Sequence, residues 1–376
     1  MKLKIAVNTR LLLKGKLEGI GWFTYESLKR IVKAHPEVEF HFIFDRPWDD
    51  EFIFSDNVIP HKIFPPARHP FLIYTWYEHS LPKLLGKIEP DLFVSPDAFT
   101  SLKAKVKKLT VIHDINFEHY PEWLPWMYAK MYKMYSPRIA RVSDRIVTVS
   151  EFSKMDIIDR YGIPKGKIDV VYNGANPRFE PLGEAEKESV RRKYTGGSPY
   201  FIYVGALNPR KNLQNMFRAF DEFRKTTSED VKYVVVGEKM YWSADIKKAY
   251  NEMTYKDDVI FLGRMEQKEL NEVVSASLAI TYASLFEGFG IPIVEAFYAE
   301  TPVITSNVTS MPEVAGDAAL LVDPQSIDSI NTAMQMIYAD DLLRERLIEK
   351  GRERKKFFTW EKTASGFWQS IEKALQ

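Results

Sequence analysis

Short apolar, β-branched runs alternate along the chain with longer stretches whose apolar residues recur every three or four positions. In the first half the runs are Leu3–Asn8, Val38–Phe44, Asp91–Ser95, Leu109–His113, Arg145–Ser150 and Ile168–Tyr172. In the second they are Tyr200–Val204, Lys232–Gly237, Val259–Gly263, Leu278–Ala283, Thr301–Thr305 and Ala319–Asp323. Runs that stay apolar rather than alternating predict strands buried on both faces, as a parallel sheet requires. The amphipathic stretches Leu213–Lys225 and Ser326–Glu349 are long enough to be crossover helices. Two sets of about six strands therefore predict an α/β protein of two Rossmann-like, doubly wound domains. Asn173-Gly174-Ala175-Asn176-Pro177 is rich in turn formers, and the highly charged Glu180–Lys193 follows it. The expected division is an N-terminal domain at 1–178, a C-terminal domain at 179–357 and a final helix at 358–376. That helix carries apolar Trp360, Ala364, Phe367, Trp368, Ile371 and Leu375.

Length agrees with this division, since 376 residues correspond to two or three domains of about 150. With 52 Lys+Arg against 51 Asp+Glu the formal net charge is +1, which gives no indication of a nucleic-acid binder. There is no cysteine, which removes disulfides, zinc–thiolate sites and cysteine nucleophiles together. No stretch approaches the roughly 18 apolar residues of a membrane span, and the opening Met-Lys-Leu-Lys-Ile-Ala-Val-Asn lacks a signal peptide's apolar region. A cytoplasmic protein is expected. The charge balance is uneven: residues 1–180 hold 27 basic and 22 acidic side chains, the remainder 25 and 29. Within 101–145 the count is nine basic to four acidic.

Candidate chemistry begins with what is missing. No P-loop lysine motif occurs, and Gly19-Ile20-Gly21 has Thr24 where a dinucleotide fingerprint needs its third glycine. No Asp-x-Asp pair is present to hold a divalent metal on a diphosphate. The strongest positive signal is Glu287-Gly288-Phe289-Gly290-Ile291-Pro292-Ile293-Val294-Glu295, between a predicted strand and a helix. Its glycines permit close backbone approach, the helix start offers N–H groups to an anion, and Glu287 and Glu295 offer hydrogen-bond acceptors to hydroxyls. Read plainly, the same residues are a glycine loop with two solvated glutamates. After Gly205-Ala206, the segment Asn208-Pro209-Arg210-Lys211-Asn212 places adjacent cations just past another strand, where they suit a diphosphate. His113 stands at a strand's carboxyl end beside Asp114, a position equally open to a structural histidine. Trp123–Arg141 mixes aromatics, methionines, Lys and Arg, and reads either as core packing or as an acceptor or anionic-membrane surface.

Taken together and in this order, these residues resemble the retaining, nucleotide-sugar-dependent glycosyltransferases of family 4, most like bacterial mannosyltransferases of surface-polysaccharide synthesis. The resemblance spans essentially the whole chain. It includes Glu18-Gly19-Ile20-Gly21, His113-Asp114, Val149-Ser150-Glu151-Phe152-Ser153, Asn173-Gly174, Arg210-Lys211-Asn212, the Glu287/Glu295 motif, and Thr301 to Gly316. It implies the GT-B fold, with two domains facing a central cleft and the final helix crossing back to the N-terminal, acceptor-side domain. Carried over residue by residue, Arg210 and Lys211 bind the donor diphosphate, Glu287 contacts the donor sugar and Glu295 holds the nucleotide ribose. Gly205, Gly288, Phe289 and Gly290 belong to the donor site, Gly21 to a loop facing the phosphates, and His113 to the neighbourhood of the donor sugar. His113, Glu287, Arg210 and Lys211 form the implied catalytic set, with no metal or other cofactor. The implied partners are GDP-mannose, or alternatively a UDP-hexose or UDP-N-acetylhexosamine, and a saccharide or lipid-linked saccharide at the inner face of the plasma membrane. A silent nucleotide-sugar-binding protein of the same fold is the remaining alternative. Glu18 and Glu300 stand where the family often has glycine.

Overall fold

The computed structural model describes residues 2–175, 178–238 and 242–376; Asn176 and Pro177 of the expected boundary turn lie outside them. The described residues form two compact units, Met1–Gly174 with Trp360–Gln376 and Ala175–Thr359.

The first unit is built on a seven-stranded parallel sheet in the order β3-β2-β1-β4-β5-β6-β7. Its strands are β1 (Lys4–Asn8), β2 (Glu39–Phe44), β3 (Val58–Lys62), β4 (Leu92–Ser95), β5 (Lys108–Val111), β6 (Arg145–Thr148) and β7 (Ile168–Val170). Strand β3 was not expected. Its sequence Val-Ile-Pro-His-Lys carries a proline and polar residues, which only an edge strand tolerates, so it has no apolar signature. The central strands are buried on both faces, from Ile5, Ala6 and Val7 in β1 to Leu92, Phe93 and Val94 in β4, while the other edge strand, β7, is half-buried at Asp169 and Val170.

The second unit holds a six-stranded parallel sheet in the order β10-β9-β8-β11-β12-β13. These strands are β8 (Tyr200–Val204), β9 (Lys232–Val236), β10 (Val259–Gly263), β11 (Ala279–Tyr282), β12 (Val303–Ser306) and β13 (Leu320–Val322). Both sheets wind one way from their first strand and then the other way. The direction reverses between β1 and β4 in the first sheet and between β8 and β11 in the second.

Helical periodicity located the helices better than it bounded them. Ser326–Glu349 is two helices, Ile327–Ala339 and Asp341–Arg354, because the side chain of Asp340 accepts from Leu343 N and starts a new one. The charged Glu180–Lys193 is largely the helix Glu184–Thr195. Helix Trp126–Val142 agrees with the packing reading of the aromatic–basic stretch on one face and leaves the other to solvent. Ala129, Met131, Ile139 and Ala140 pack inward, while Trp126, Lys130, Lys133, Met134 and Arg138 are exposed.

The last helix, Trp360–Leu375, packs in the first unit. Phe367 meets Phe23, Trp368 stacks on His35 at 3.6 Å, and Thr363 Oγ1 donates to Tyr172 O at 2.7 Å. A side chain cannot be added to Gly174, where a Cβ would lie 2.5 Å from Trp360 N. The glycine signal in the boundary turn thus marks where the returning helix touches the chain.

Candidate functional site

A buried polar cluster of the second unit lies at the carboxyl ends of β8 and β11, where the direction of winding reverses. In an open α/β sheet this is where a crevice forms and ligands bind. After β8 the chain turns through Gly205, whose φ of 150° suits glycine and whose absent Cβ leaves room for the hydroxyl of Tyr203. It then makes one 3-10 turn, Pro209–Lys211, and Asn212 takes a left-handed φ of 62° before the helix Leu213–Thr226. The amide of Asn212 donates to Ala283 O at 2.9 Å and Pro324 O at 2.7 Å, which ties this loop to the end of β11.

That tie brings Arg210 and Lys211 onto Glu287. Arg210 Nη1 donates to Glu287 Oε2 at 2.6 Å and to Phe286 O at 3.0 Å. Lys211 Nζ donates to Glu287 Oε1 at 2.6 Å and to the Tyr282 hydroxyl at 2.5 Å. Lys211 and Glu287 are both buried, at 8% and 5% exposure. Burial by itself would protonate Glu287, but Arg210 and Lys211 outweigh it and hold the pKa at about 2. Two cations against one carboxylate leave the cluster with a net charge of +1, the sign a diphosphate requires.

The loop from Ala283 to Gly290 is fixed from below. Ser310 Oγ donates to Glu287 O at 2.9 Å and lies 3.1 Å from Phe289 O, and Glu287 N donates to Thr309 Oγ1 at 3.3 Å. Gly288 and Phe289 are buried, and Phe289 meets Phe358 edge-on. Gly290 (φ 99°) ends the loop and begins the helix Ile291–Tyr298 with a conformation few other residues adopt. Glu295 projects from the second turn of that helix. Its half-buried carboxyl makes no hydrogen bond or ion pair among the described residues, and burial raises its pKa to about 7. A carboxyl so placed is ready for hydroxyls from outside the protein.

Gly21 and His113 belong to the first unit. Gly21 stands in the first turn of the helix Gly19–Ala34 rather than in the loop before it. A Cβ there would come 3.2 Å from Leu11 O and 3.1 Å from Leu17 Cδ2, so its smallness lets the loop 9–18 lie across the helix start. His113 Nε2 is 2.9 Å from Pro96 O, which makes Nε2 the donor and leaves Nδ1 as an acceptor. The ring meets Phe23 edge-on at 5.1 Å, and burial lowers its pKa, so it is neutral near pH 7.

Of the residues that hold the site together, sequence spacing placed Asn212 within its motif without a role, and gave none to Tyr282, Thr309 and Ser310. Tyr282 was hidden in an apolar strand pattern, and Asn212 gave only the weak signal of an asparagine before a helix.

Comparison with known proteins agrees with this architecture. Residues 17–179 match the family described as Glycosyltransferase Family 4, and residues 185–354 match Glycosyl transferases group 1. The O-antigen chain mannosyltransferase B of Escherichia coli is 27% identical over 361 residues, which span 93% of this chain and 94% of that protein. Among solved structures, a sucrose-phosphate synthase from Thermosynechococcus elongatus aligns with a TM-score of 0.77 and 18% identity over 99% of this chain and 98% of its own. HepE of Anabaena, in complex with UDP and glucose, aligns at 0.76 and 15% identity over 98% and 99%. Both structures share the GT-B fold with this chain. With a family 4 domain in its first half and a group 1 domain in its second, the chain belongs to the family 4 glycosyltransferases, enzymes that transfer a sugar.

Proposed function

We propose that the chain is a retaining, metal-independent hexosyltransferase that moves mannose from GDP-mannose to a hydroxyl of a saccharide or lipid-linked saccharide. The observation that carries this reading is the Arg210–Lys211–Glu287 cluster with its net positive charge at the winding reversal of the second sheet. Breaking a sugar–phosphate bond develops negative charge on the leaving diphosphate. Arg210 and Lys211, already oriented by Glu287, stabilise that charge without rearrangement, so the reading needs no metal. The leaving phosphate takes the proton of the incoming hydroxyl on the same face of the sugar, the new glycosidic bond forms as the old one breaks, and configuration is retained. Glu295 holds the ribose hydroxyls, and Gly205, Gly288, Phe289 and Gly290 shape the donor pocket. His113, in the first unit, offers Nδ1 to a sugar hydroxyl. Mannose is favoured because the Escherichia coli relative, similar along its whole length, is a mannosyltransferase of O-antigen chains. A UDP-hexose donor is the second reading, favoured by the fold shared with HepE, which binds UDP and glucose.

A thermal-shift panel separates the two, because a ligand that binds only the folded chain stabilises it in proportion to its affinity. GDP-mannose is expected to raise Tm more than UDP-glucose, UDP-galactose or UDP-N-acetylglucosamine; a larger shift with any of the UDP sugars refutes the mannose assignment. The same experiment tests Glu295. Ribose hydroxyls favour the ionised carboxylate, whose pKa of about 7 in the free chain must fall on binding. Donor affinity is therefore expected to rise from pH 6 to pH 8 as Glu295 loses its proton, and Glu295→Gln to flatten that rise. A wild-type affinity that is independent of pH over this range removes Glu295 from the ribose site.

Among the described residues no helix is long and apolar enough to cross a membrane. We place the chain in the cytoplasm, held at the inner face of the plasma membrane by the exposed Trp126, Lys130, Lys133, Met134 and Arg138 of one helix. Sedimentation with anionic lipid vesicles at low salt is expected to carry the protein down. Recovery of all of it in the supernatant contradicts the placement.

A further inference from the structure

The β2/β3 edge of the first sheet carries two histidines bonded to each other. His41 of β2 and His61 of β3 lie on the same face of adjoining parallel strands, His41 opposite Ile59 and His61 opposite Ile43. His41 Nδ1 is 2.9 Å from His61 Nε2, and His41 Nε2 is 2.8 Å from Glu39 Oε1. His41 is buried, whereas His61 and Glu39 are half-buried. Besides Glu39, the charge that acts on the pair is that of Lys4 on β1. Its ammonium donates to Ile88 O at 3.3 Å, at the end of the helix Leu81–Ile88.

The partners fix where the protons are. A carboxylate only accepts, so His41 Nε2 donates to Glu39 and a neutral His41 keeps Nδ1 as its acceptor. His61 must then donate through Nε2. A first added proton fits on His61 Nδ1, where it leaves both hydrogen bonds intact and charges the more exposed ring. A second can go only to His41 Nδ1. There it meets the N–H of His61 head-on and sets two cations against each other. Burial opposes charge on either ring and lowers both pKa values from the ordinary 6.5, against the pull of Glu39 on His41.

What this pair holds is the edge of the sheet. Strand β3 has a neighbour on one side only, is five residues long and carries Pro60 at its centre, so little else keeps it in place. The chain runs from β3 straight into a segment fastened to the end of β2. Ile63 N donates to Phe44 O at 3.0 Å and Ala67 N to Asp45 Oδ2 at 2.9 Å, while Ala67 O accepts from Arg10 Nη1 at 3.1 Å.

We propose that His41 and His61 form an acid-opened latch on this edge. The pair takes one proton in place; a second parts the rings and releases β3 with the segment that follows it. This goes beyond sugar transfer and is independent of the donor. Because both folded rings resist protonation, the latch's contribution is complete above pH 6.5 and is lost as pH falls below that value.

Hydrogen exchange of the full chain, read by mass spectrometry at pH 7.5 and pH 5.0 and corrected for the intrinsic effect of pH, tests this. Protection of β3 relative to the central strand β1 is expected to fall about 3- to 10-fold at the lower pH, the equilibrium effect of one lost hydrogen bond. His61→Gln keeps a donor for His41 Nδ1 and takes no proton. His41→Gln keeps an acceptor for His61 and a donor for Glu39, and takes no proton either. In each folded variant the relative protection of β3 is expected to be the same at both pH values. The proposal is overturned if wild-type β3 is equally protected at pH 7.5 and 5.0. It is also overturned if either folded variant loses protection as the wild type does.

Discussion

Lys211→Ala is expected to lower the rate of sugar transfer by about 10²–10³-fold, the usual effect of deleting one fixed donor aimed at developing negative charge. Lys211 is not a surface cation that a neighbour replaces. Its ammonium lies in a buried slot, 2.6 Å from Glu287 Oε1 and 2.5 Å from the Tyr282 hydroxyl, with the Tyr282 ring centre 4.7 Å away. Alanine leaves Arg210 alone against Glu287, and the cluster's charge falls from +1 to zero. The ground-state diphosphate and the leaving diphosphate both lose a partner, the second more heavily because its charge is greater. Release of nucleoside diphosphate in a single turnover measures the step directly. Wild-type release by a folded Lys211→Ala variant removes Lys211 from the chemistry.

Glu287→Ala is expected to have the largest effect on stability. It leaves Arg210 and Lys211 beside each other with no counter-charge, and breaking a buried pair from one side costs about 3–5 kcal/mol. For a unit of this size that lowers Tm by on the order of 10 °C. The pH dependence has a definite sign. Glu287 ionises at about 2 in the folded chain against an ordinary value of 4.5, so its stabilisation is complete above pH 4.5 and disappears as pH falls through 2. The Tm gap between wild type and variant is therefore expected to be constant from pH 7 to 5 and to narrow below 4.5. A gap that stays constant down to pH 2.5 means that the carboxylate's charge is not what stabilises the loop.

Much of this is legible in the sequence. Buried parallel strands carry continuous apolar runs, so the central strands of both sheets could be located from pattern alone, as could the helix Trp360–Leu375. Strand β3 could not, because an edge strand buries little and its sequence need not be apolar. The break at Asp340 was hidden because a capping aspartate inside a periodic stretch resembles a solvent-facing position. Arg210, Lys211, Glu287 and Glu295 were singled out as residues, but the ion pairs among the first three were not. Seventy-six positions separate Lys211 from Glu287, and only the fold brings β8 beside β11.

The return of Trp360–Gln376 to the first unit has a consequence for biogenesis. Ala175–Thr359 is, in effect, an insertion in the first unit's chain, and all of it is synthesised before the helix that completes that unit. Emerging from the ribosome, the second unit has its whole sequence available while the first still lacks the surface that covers Phe23 and His35. The inserted unit can therefore fold first although it is made later. A nascent chain arrested before Trp360 would leave Phe23 and its apolar surroundings exposed.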